Sequence, residues 1–231
     1  MNGATRIRVV VFDLDDTLFA ERDYVAGGYG AVGEHLRRSL GRGEAFEDWL
    51  WDRFLTGSAE GAFDALNLHF GLELSSAEIR ELVEVYRRHA PRIELFDGMA
   101  DILGRIRERY AVGLLSDGFL PGQRLKFQAL NVERFFDAVL FTEELGRESW
   151  KPSTRGFEVL AKKLDVPHGA CAYVADNPTK DFLPGNKLGW RTIQYLHPGQ
   201  LYSAAEAPQG GNPQVIVRDG GGLHLALIAV L

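Results

Sequence analysis

The hydrophobic pattern at the start of the chain is that of a buried strand. Residues 7–12 (IRVVVF) form a mostly β-branched apolar run that stops at Asp13, which predicts a strand followed by a loop. Five later runs are similarly short and apolar, and they predict strands at 111–115, 138–141, 171–175, 192–196 and 215–217. Helices are predicted between these strands, at 99–109, 122–130, 154–164 and 179–188.

A different pattern fills the chain between about residues 23 and 90. Apolar residues such as Ile79, Leu82 and Tyr86 recur there at helical spacing, with charged residues between them. Three breaks rich in glycine or polar residues would separate the helices, at 41–43, 57–61 and 71–76. This segment is therefore predicted to be entirely helical.

The alternation of strands and helices outside that segment predicts an α/β fold. Such an arrangement gives a parallel sheet covered by helices on both faces. Ligands of these folds bind at the carboxyl ends of the strands. We therefore expect the chemistry of this chain to lie just after its strands.

Composition and charge narrow the class of protein. The 231 residues are 45% hydrophobic and 25% charged, as in a globular protein with a substantial core, and the net charge of −6 argues against nucleic acid or an anionic membrane as the main partner. Cys171 is the only cysteine, which excludes an intrachain disulfide and favours the cytoplasm. No apolar run predicts a secretion signal or a membrane span.

The first candidate motif follows the first predicted strand and reads Asp13-x-Asp15-x-Thr17. Two carboxylates two positions apart at a strand exit can converge on one site, where one attacks as a nucleophile and the other transfers a proton. The alternative is a polar turn with an Asx cap, since Asp and Thr are common turn residues.

Two further candidates follow later strands. At Ser116-Asp117-Gly118, a hydroxyl and neighbouring backbone N–H groups suit a phosphate oxygen, although a plain turn explains the same residues. Lys151 precedes Pro152, which restricts its backbone, so its ammonium group can be fixed against an anion. In isolation Lys151 would be interpreted as a surface lysine.

The fourth candidate is the pair Asp176 and Asp181, at and just beyond another strand end. Two carboxylates there suit a hard, oxygen-ligated cation such as Mg²⁺. Helix capping by Asp176 or Asn177 is the structural alternative. All four candidates occur in order after successive predicted strands, which unrelated turns would rarely do.

In this order and spacing, the sequence resembles the haloacid dehalogenase superfamily of aspartate-nucleophile hydrolases. The four segments correspond to its four motifs, which are Asp13 with Asp15 and Thr17, then Ser116, then Lys151, then Asp176 with Asp181. The resemblance implies a Rossmann-like catalytic core formed by residues 1–20 and 91–231. It also implies a small all-helical cap domain, residues 21–90, inserted after the first strand.

The resemblance also implies a role for each motif residue. Asp13 would form an aspartyl-phosphate, Asp15 would be the acid and base, and Lys151 would offset the repulsion between Asp13 and the phosphoryl group. Four residues would bind the phosphate group: Thr17, Ser116, Asp117 and Lys151. Mg²⁺ would be the cofactor, with its ligands from the Asp13 carboxylate, the Asp15 carbonyl, Asp176 and, directly or indirectly, Asp181.

The activity implied by the resemblance is Mg²⁺-dependent hydrolysis of a small phosphorylated metabolite. A phosphomutase acting on a sugar phosphate would keep the same motif residues. A haloacid dehalogenase would need neither Asp15 nor Asp176, and a non-catalytic binding domain should have lost some of the motif residues. The motifs name neither the substrate nor the oligomeric state.

Three other features are interpreted as structural. Residues 28–33 spell G-x-G-x-x-G, but no strand precedes them as a dinucleotide site requires, so these glycines are assigned to a helix. Cys171 is interpreted as a small core residue. Four aromatic residues are assigned to the interior of the helical segment, with a substrate-facing wall as the alternative: Trp49, Trp51, Phe54 and Phe63.

Overall fold

The computed structural model describes residues 6–202 and 204–228, and within them six strands form one parallel sheet. The strands are β1 (Val9–Phe12), β2 (Ala111–Ser116), β3 (Ala138–Phe141), β4 (Cys171–Ala175), β5 (Arg191–Tyr195) and β6 (Val215–Val217). Their order in the sheet is β3-β2-β1-β4-β5-β6. The predicted α/β class with a Rossmann-like parallel sheet is confirmed.

Helices cover both faces of this sheet. After the helical segment they are α5 (Met99–Arg107), α6 (Gly122–Ala129), α7 (Arg155–Lys163), α8 (Phe182–Leu188) and α9 (Gly220–Ile228). Alternate residues of β1 point to opposite faces, so Val10 joins the core under α5, α6 and α9, whereas Val11 joins the core under α7 and α8. Both are completely buried, which stabilises the fold by roughly 1.5–3 kcal/mol for each side chain.

The predicted elements and the observed ones differ mainly at their ends. The largest difference is α8, predicted from residue 179 but beginning at Phe182. The preceding residues form a turn instead, in which the Asn177 side chain accepts a hydrogen bond from the backbone N–H of Thr179 at 3.0 Å. Cys171 is buried at the start of β4, as expected of a core residue. No helix among the described residues is long and apolar enough to span a membrane.

Between β1 and α5 the chain forms the predicted all-helical segment. Its helices are α1 (Glu21–Leu40), α2 (Phe46–Leu55), α3 (Ala62–Phe70) and α4 (Ser76–Arg88). Gly41 and Gly71, in the predicted breaks, adopt the left-handed conformation that ends α1 and α3. A capping box between Ser75 and Glu78 begins α4.

This four-helix segment has its own hydrophobic cluster. Val32, Phe46, Leu50 and Leu66 are completely buried in it. The four aromatic residues assigned to its interior also belong to the cluster, with Phe63 buried and the others half-buried: Trp49, Trp51 and Phe54. That assignment is confirmed.

The chain enters and leaves the four-helix segment at one place. The connection from β1 to α1 and the connection from α4 to α5 lie side by side, where the backbone N–H of Phe96 donates to the carbonyl of Leu18 at 2.8 Å. Phe19 and Leu95 form an antiparallel bridge next to this bond. The segment is therefore an insertion with adjacent ends.

The glycines of residues 28–33 lie within α1, as the sequence predicted. A Cβ atom at Gly28 would lie 2.5 Å from the ring of Tyr86 on α4, so only glycine allows the two helices to approach this closely. Gly30 has nothing within 4 Å of its Cβ position.

These two glycines make a matched pair of substitutions in one helix. We expect Gly30→Ala to raise the free energy of unfolding by about 0.5–1 kcal/mol, because alanine loses less entropy in a helix. Gly28→Ala should lower it by about 1–3 kcal/mol, because the methyl group overpacks against Tyr86. Urea unfolding monitored by circular dichroism measures both, and equal effects of the two substitutions would contradict the packing described for α1 and α4.

Candidate active site

Acidic side chains gather at the carboxyl ends of the central strands. Asp13 directly follows β1, and Asp176 directly follows β4, its neighbour in the sheet. Ser116 ends β2 on the other side of β1, and Asp117 follows it. The strand order reverses at β1, which is where open α/β sheets form a crevice.

Lys151 joins these strand ends through its ammonium group. The Nζ atom lies 3.0 Å from Asp13 Oδ1 and 2.7 Å from Asp181 Oδ1, and it donates a hydrogen bond to the Tyr173 hydroxyl at 2.9 Å. Burial lowers the pKa of Lys151, but attraction to Asp13 and Asp181 outweighs burial and holds this pKa well above its usual value. Lys151 is therefore a buried cation and not the surface residue that its type alone suggests.

Asp117 fixes the backbone of Lys151. Its Oδ2 accepts a hydrogen bond from the Lys151 backbone N–H at 2.9 Å, and its Oδ1 accepts one from the Thr142 hydroxyl at 2.7 Å. Both oxygens of this carboxylate are therefore used to tie the loop after β2 to the chain that follows β3. Asp117 still lines the cleft described below.

Three carboxyl groups form a compact buried cluster at the strand ends. One oxygen from each of Asp13, Asp176 and Asp181 lies within 4.8 Å of the others. Burial raises the pKa of Asp13 to about 7, although the Lys151 ammonium opposes this shift. Burial, and then repulsion by Asp181 and Asp13, raises the pKa of Asp176 well above its usual value. Ionisation of Asp13 and Asp176 is therefore disfavoured, chiefly because both groups are buried.

The two acids of the fourth motif differ in their partners. Asp181 Oδ1 meets the Lys151 ammonium, and its Oδ2 accepts a hydrogen bond from the Asn177 backbone N–H at 2.9 Å. Asp176 Oδ1 accepts only a long bond, 3.4 Å, from the Thr17 hydroxyl, and its Oδ2 is buried without a hydrogen-bond partner. A buried carboxylate oxygen without a partner is an available ligand for a divalent cation.

Asp15 is held by two side chains of α6 that the sequence analysis did not select. The Lys126 ammonium lies 2.7 Å from Asp15 Oδ1, and the Gln123 amide donates to Asp15 Oδ2 at 2.6 Å. Residues 123 and 126 are three positions apart, so they lie on one face of the helix that is predicted after the Ser116 motif. This spacing is the signal by which the sequence could have identified them.

A cleft of about 560 Å³ opens above these groups, between the strand ends and the four-helix segment. Five of the eight residues predicted for the site line it, namely Asp13, Asp15, Asp117, Lys151 and Asp176. The other three are completely buried: Thr17, Ser116 and Asp181. Ser116 accepts a hydrogen bond from Gln123 at 3.0 Å, so these three residues contact the lining residues from behind.

The four-helix segment contributes its own polar groups to the cleft. Glu21 and Tyr24 come from α1, and Arg87 comes from the last turn of α4. Burial, and then repulsion by Asp15, raises the pKa of Glu21 to about 7. The Arg87 guanidinium lies 3.6 Å from the centre of the Phe119 ring. Sequence reasoning missed these residues because only tertiary packing brings them to the site.

Lys180 adds a second cation from the fourth-motif loop. Its side chain lines the cleft, close enough to interact with Asp181 and Asp13. Burial and the Lys151 ammonium lower the pKa of Lys180, but the two carboxylates outweigh them and raise it. The floor of the cleft thus combines the buried ammonium group of Lys151 and the half-buried side chain of Lys180 with the acidic cluster.

Two curated relatives resemble the chain over most of its length. It is 26% identical over 211 residues to glyceraldehyde 3-phosphate phosphatase of Methanocaldococcus jannaschii, covering 82% of this chain and 85% of the relative. It is 26% identical over 220 residues to phosphoserine phosphatase of Thermus thermophilus, covering 81% and 88%.

A solved structure and a family model extend these comparisons. The 2-haloacid dehalogenase of Pseudomonas syringae has a TM-score of 0.65 at 21% identity, covering 96% of this chain and 98% of that one, and this likeness shows the fold alone. The model of the haloacid dehalogenase-like hydrolases matches residues 7–189, from before β1 to just after α8. The chain therefore belongs to the haloacid dehalogenase-like hydrolase family.

Proposed function

We propose that this protein is a Mg²⁺-dependent phosphomonoester hydrolase that acts on a small phosphorylated metabolite through an aspartyl-phosphate on Asp13. The observation that carries the proposal is the arrangement of Asp13, Lys151 and Asp176 on the floor of a cleft whose wall holds Asp15. Family membership and the two phosphatase relatives support it.

Asp13 is the nucleophile in this proposal. Its carboxylate lines the cleft although only 4% of the residue is exposed, and the Lys151 ammonium lies beside Oδ1. A carboxylate and a phosphate group repel each other, so cations must offset their charge before the oxygen reaches phosphorus. Lys151 supplies one such charge, and Lys180 on the same floor supplies a second.

Asp15 transfers the proton in each half of the reaction. An Asp13 oxygen bonds to phosphorus while the bond to the leaving oxygen breaks, and that oxygen keeps the electron pair and takes the proton of Asp15. The Asp15 carboxylate then removes a proton from water as the water oxygen attacks phosphorus. The bond to Asp13 breaks, inorganic phosphate leaves and the Asp13 carboxylate is restored.

The acidic cluster fits the expected cation. The ligands would be the Asp13 carboxylate, the Asp15 backbone carbonyl and Asp176, whose buried Oδ2 has no other partner. Asp181 would act indirectly, because the Lys151 ammonium and the Asn177 N–H already engage its two oxygens. Bound Mg²⁺ would supply positive charge for the phosphate oxygens and for Asp13.

The four expected phosphate-binding residues fall into two groups. Lys151 and Asp117 line the cleft. Ser116 and Thr17 lie behind it, where the Ser116 hydroxyl accepts from Gln123 and the Thr17 hydroxyl donates to Asp176. We therefore assign Thr17 the support of Asp176, and its direct contact with phosphate stays a prediction.

The four-helix segment is the cap in this proposal, with residues 21–90 as the cap domain and residues 1–20 and 91–231 as the catalytic core. The boundaries are supported by α1, which begins at Glu21, and by α4, which ends at Arg88. The cap residues Glu21 and Arg87 would meet the part of the substrate beyond phosphate. A cleft of about 560 Å³ suits a small metabolite.

Phosphate release in the presence of Mg²⁺ is the first test of this proposal. The purified protein should hydrolyse p-nitrophenyl phosphate, and EDTA should stop the reaction. Asp13→Asn should abolish turnover because it removes the attacking carboxylate, whereas the matched variant Asp101→Asn, at an exposed position of α5, should keep it. Undiminished turnover in EDTA or in Asp13→Asn, or halide release from a chloroacid, would contradict the proposal.

The second test concerns stability. In the metal-free protein the folded state holds protons on Asp13 and Asp176 that the unfolded chain has already lost, so the free energy of unfolding should fall as pH rises from about 4 to about 7. Asp176→Asn should therefore raise the melting temperature in EDTA at neutral pH. Each kcal/mol corresponds to about 2–4 °C for a chain of this length.

The same measurement tests the cation ligands. Mg²⁺ should raise the melting temperature of the wild-type protein, because a ligand of the folded state stabilises it. Asp176→Asn should lose this response, whereas Asp101→Asn should keep it. An Asp176→Asn variant that Mg²⁺ stabilises as strongly as the wild type would show that Asp176 is not a ligand.

A further inference from the structure

We propose that Lys126 and Gln123 are positioning residues that hold Asp15 in place for proton transfer, and that Tyr24 of α1 holds Lys126 in turn. This inference rests on the proposed function, in which Asp15 protonates the leaving oxygen. It assigns a role to two buried polar residues of α6 that belong to none of the four motifs.

The contacts fix the orientation of the Asp15 carboxyl group. Lys126 Nζ lies 2.7 Å from Oδ1, and Gln123 Nε2 lies 2.6 Å from Oδ2. Two partners on opposite oxygens define the plane of the group as well as its position. Gln123 is 2% exposed and Lys126 is 6% exposed, so water competes little for either contact.

Gln123 is itself anchored to the end of β2. Its Nε2 atom lies 3.0 Å from Ser116 Oγ and 2.5 Å from the Asp117 carbonyl oxygen. The Asp15 side chain is thereby tied to the end of β2, which is followed by Asp117, the residue that fixes the Lys151 backbone. The nucleophile and the proton donor thus share one support, as precise catalysis requires.

Lys126 is held from the side of the four-helix segment. Its Nζ atom lies 4.0 Å from the centre of the Tyr24 ring, whose face attracts a cation. The Tyr24 ring lies close against α6, where glycine at position 122 leaves the room that it needs, because a Cβ atom there would lie 2.8 Å from the Tyr24 hydroxyl. The Lys126 ammonium is therefore confined between this aromatic ring and the Asp15 carboxylate.

This geometry predicts an effect that depends on the leaving group. When the bond from phosphorus to the leaving oxygen breaks, Asp15 gives up its proton and becomes a carboxylate beside the Lys126 ammonium. An alkoxide needs that proton, so the contacts to Asp15 should matter greatly for alkyl phosphates. A nitrophenolate hardly needs it, so the same contacts should matter little for nitrophenyl phosphate.

The experiment measures kcat/KM in saturating Mg²⁺ for phosphate monoesters whose leaving groups range from nitrophenols to simple alcohols. For Lys126→Met we expect a loss on the order of 10- to 100-fold with alkyl esters, and less than about threefold with nitrophenyl phosphate, because part of the general-acid contribution disappears. Lys126→Arg should recover most of the loss, since it keeps the charge. Gln123→Ala should likewise lower kcat/KM more for alkyl esters than for nitrophenyl phosphate.

Arg124→Met is the matched control on the same helix. The Arg124 side chain is exposed and pairs with Glu144 away from Asp15, so its loss should leave the leaving-group dependence unchanged. A Lys126→Met loss of equal size for every ester would overturn the inference, because it would place Lys126 on the phosphate group or in the fold. If Lys126→Met does not fold, an unchanged dependence in Gln123→Ala overturns it.

The two proposals fail in different ways. A wild-type protein that releases no phosphate from any ester would overturn the proposed function and this inference together. An active wild type whose Lys126→Met variant keeps the wild-type leaving-group dependence would overturn this inference alone.

Discussion

The Lys151 ammonium lies among carboxyl groups and is almost completely withdrawn from water, and the loops after four strands are arranged around it. Asp13 follows β1, Asp117 follows β2, and Asp181 lies beyond β4, while Lys151 itself comes after β3. A buried ammonium group is tolerated only when its charge is paired and its hydrogen bonds are made. Each loop must therefore adopt one conformation so that these contacts form together.

The carboxyl groups of the site are only partly paired with cations, since Asp176 Oδ2 is buried without a partner. Asp13, Asp176 and Asp181 form a cluster of three carboxyl groups beside Lys151, and burial, together with repulsion within the cluster, raises the pKa values of Asp13 and Asp176. The buried central strands β1 and β4 provide stability that offsets this repulsion. Such locally unfavourable electrostatic interactions are expected at sites where a protein binds charged ligands.

The sequence allowed the strands and the positions of the motif residues to be predicted, because apolar runs mark strands and parallel strands end at one edge. It did not indicate which way each side chain points. Thr17 and Ser116 lie behind the cleft, and the Asp117 carboxylate is turned towards the Lys151 backbone. Glu21 and Lys126 reach the site from helices whose relative packing no local pattern specifies.

The adjacent ends of the four-helix insertion have an evolutionary consequence. A hydrogen bond between Leu18 and Phe96 joins the segment that enters the insertion to the segment that leaves it. The insertion therefore connects to the sheet in the same way as a single surface loop. Lengthening or replacing such a loop changes its closure entropy only slightly. Selection can therefore remodel the insert while the strand ends beneath it keep an inherited geometry, provided that the aromatic contact of Tyr24 with Lys126 is kept or replaced.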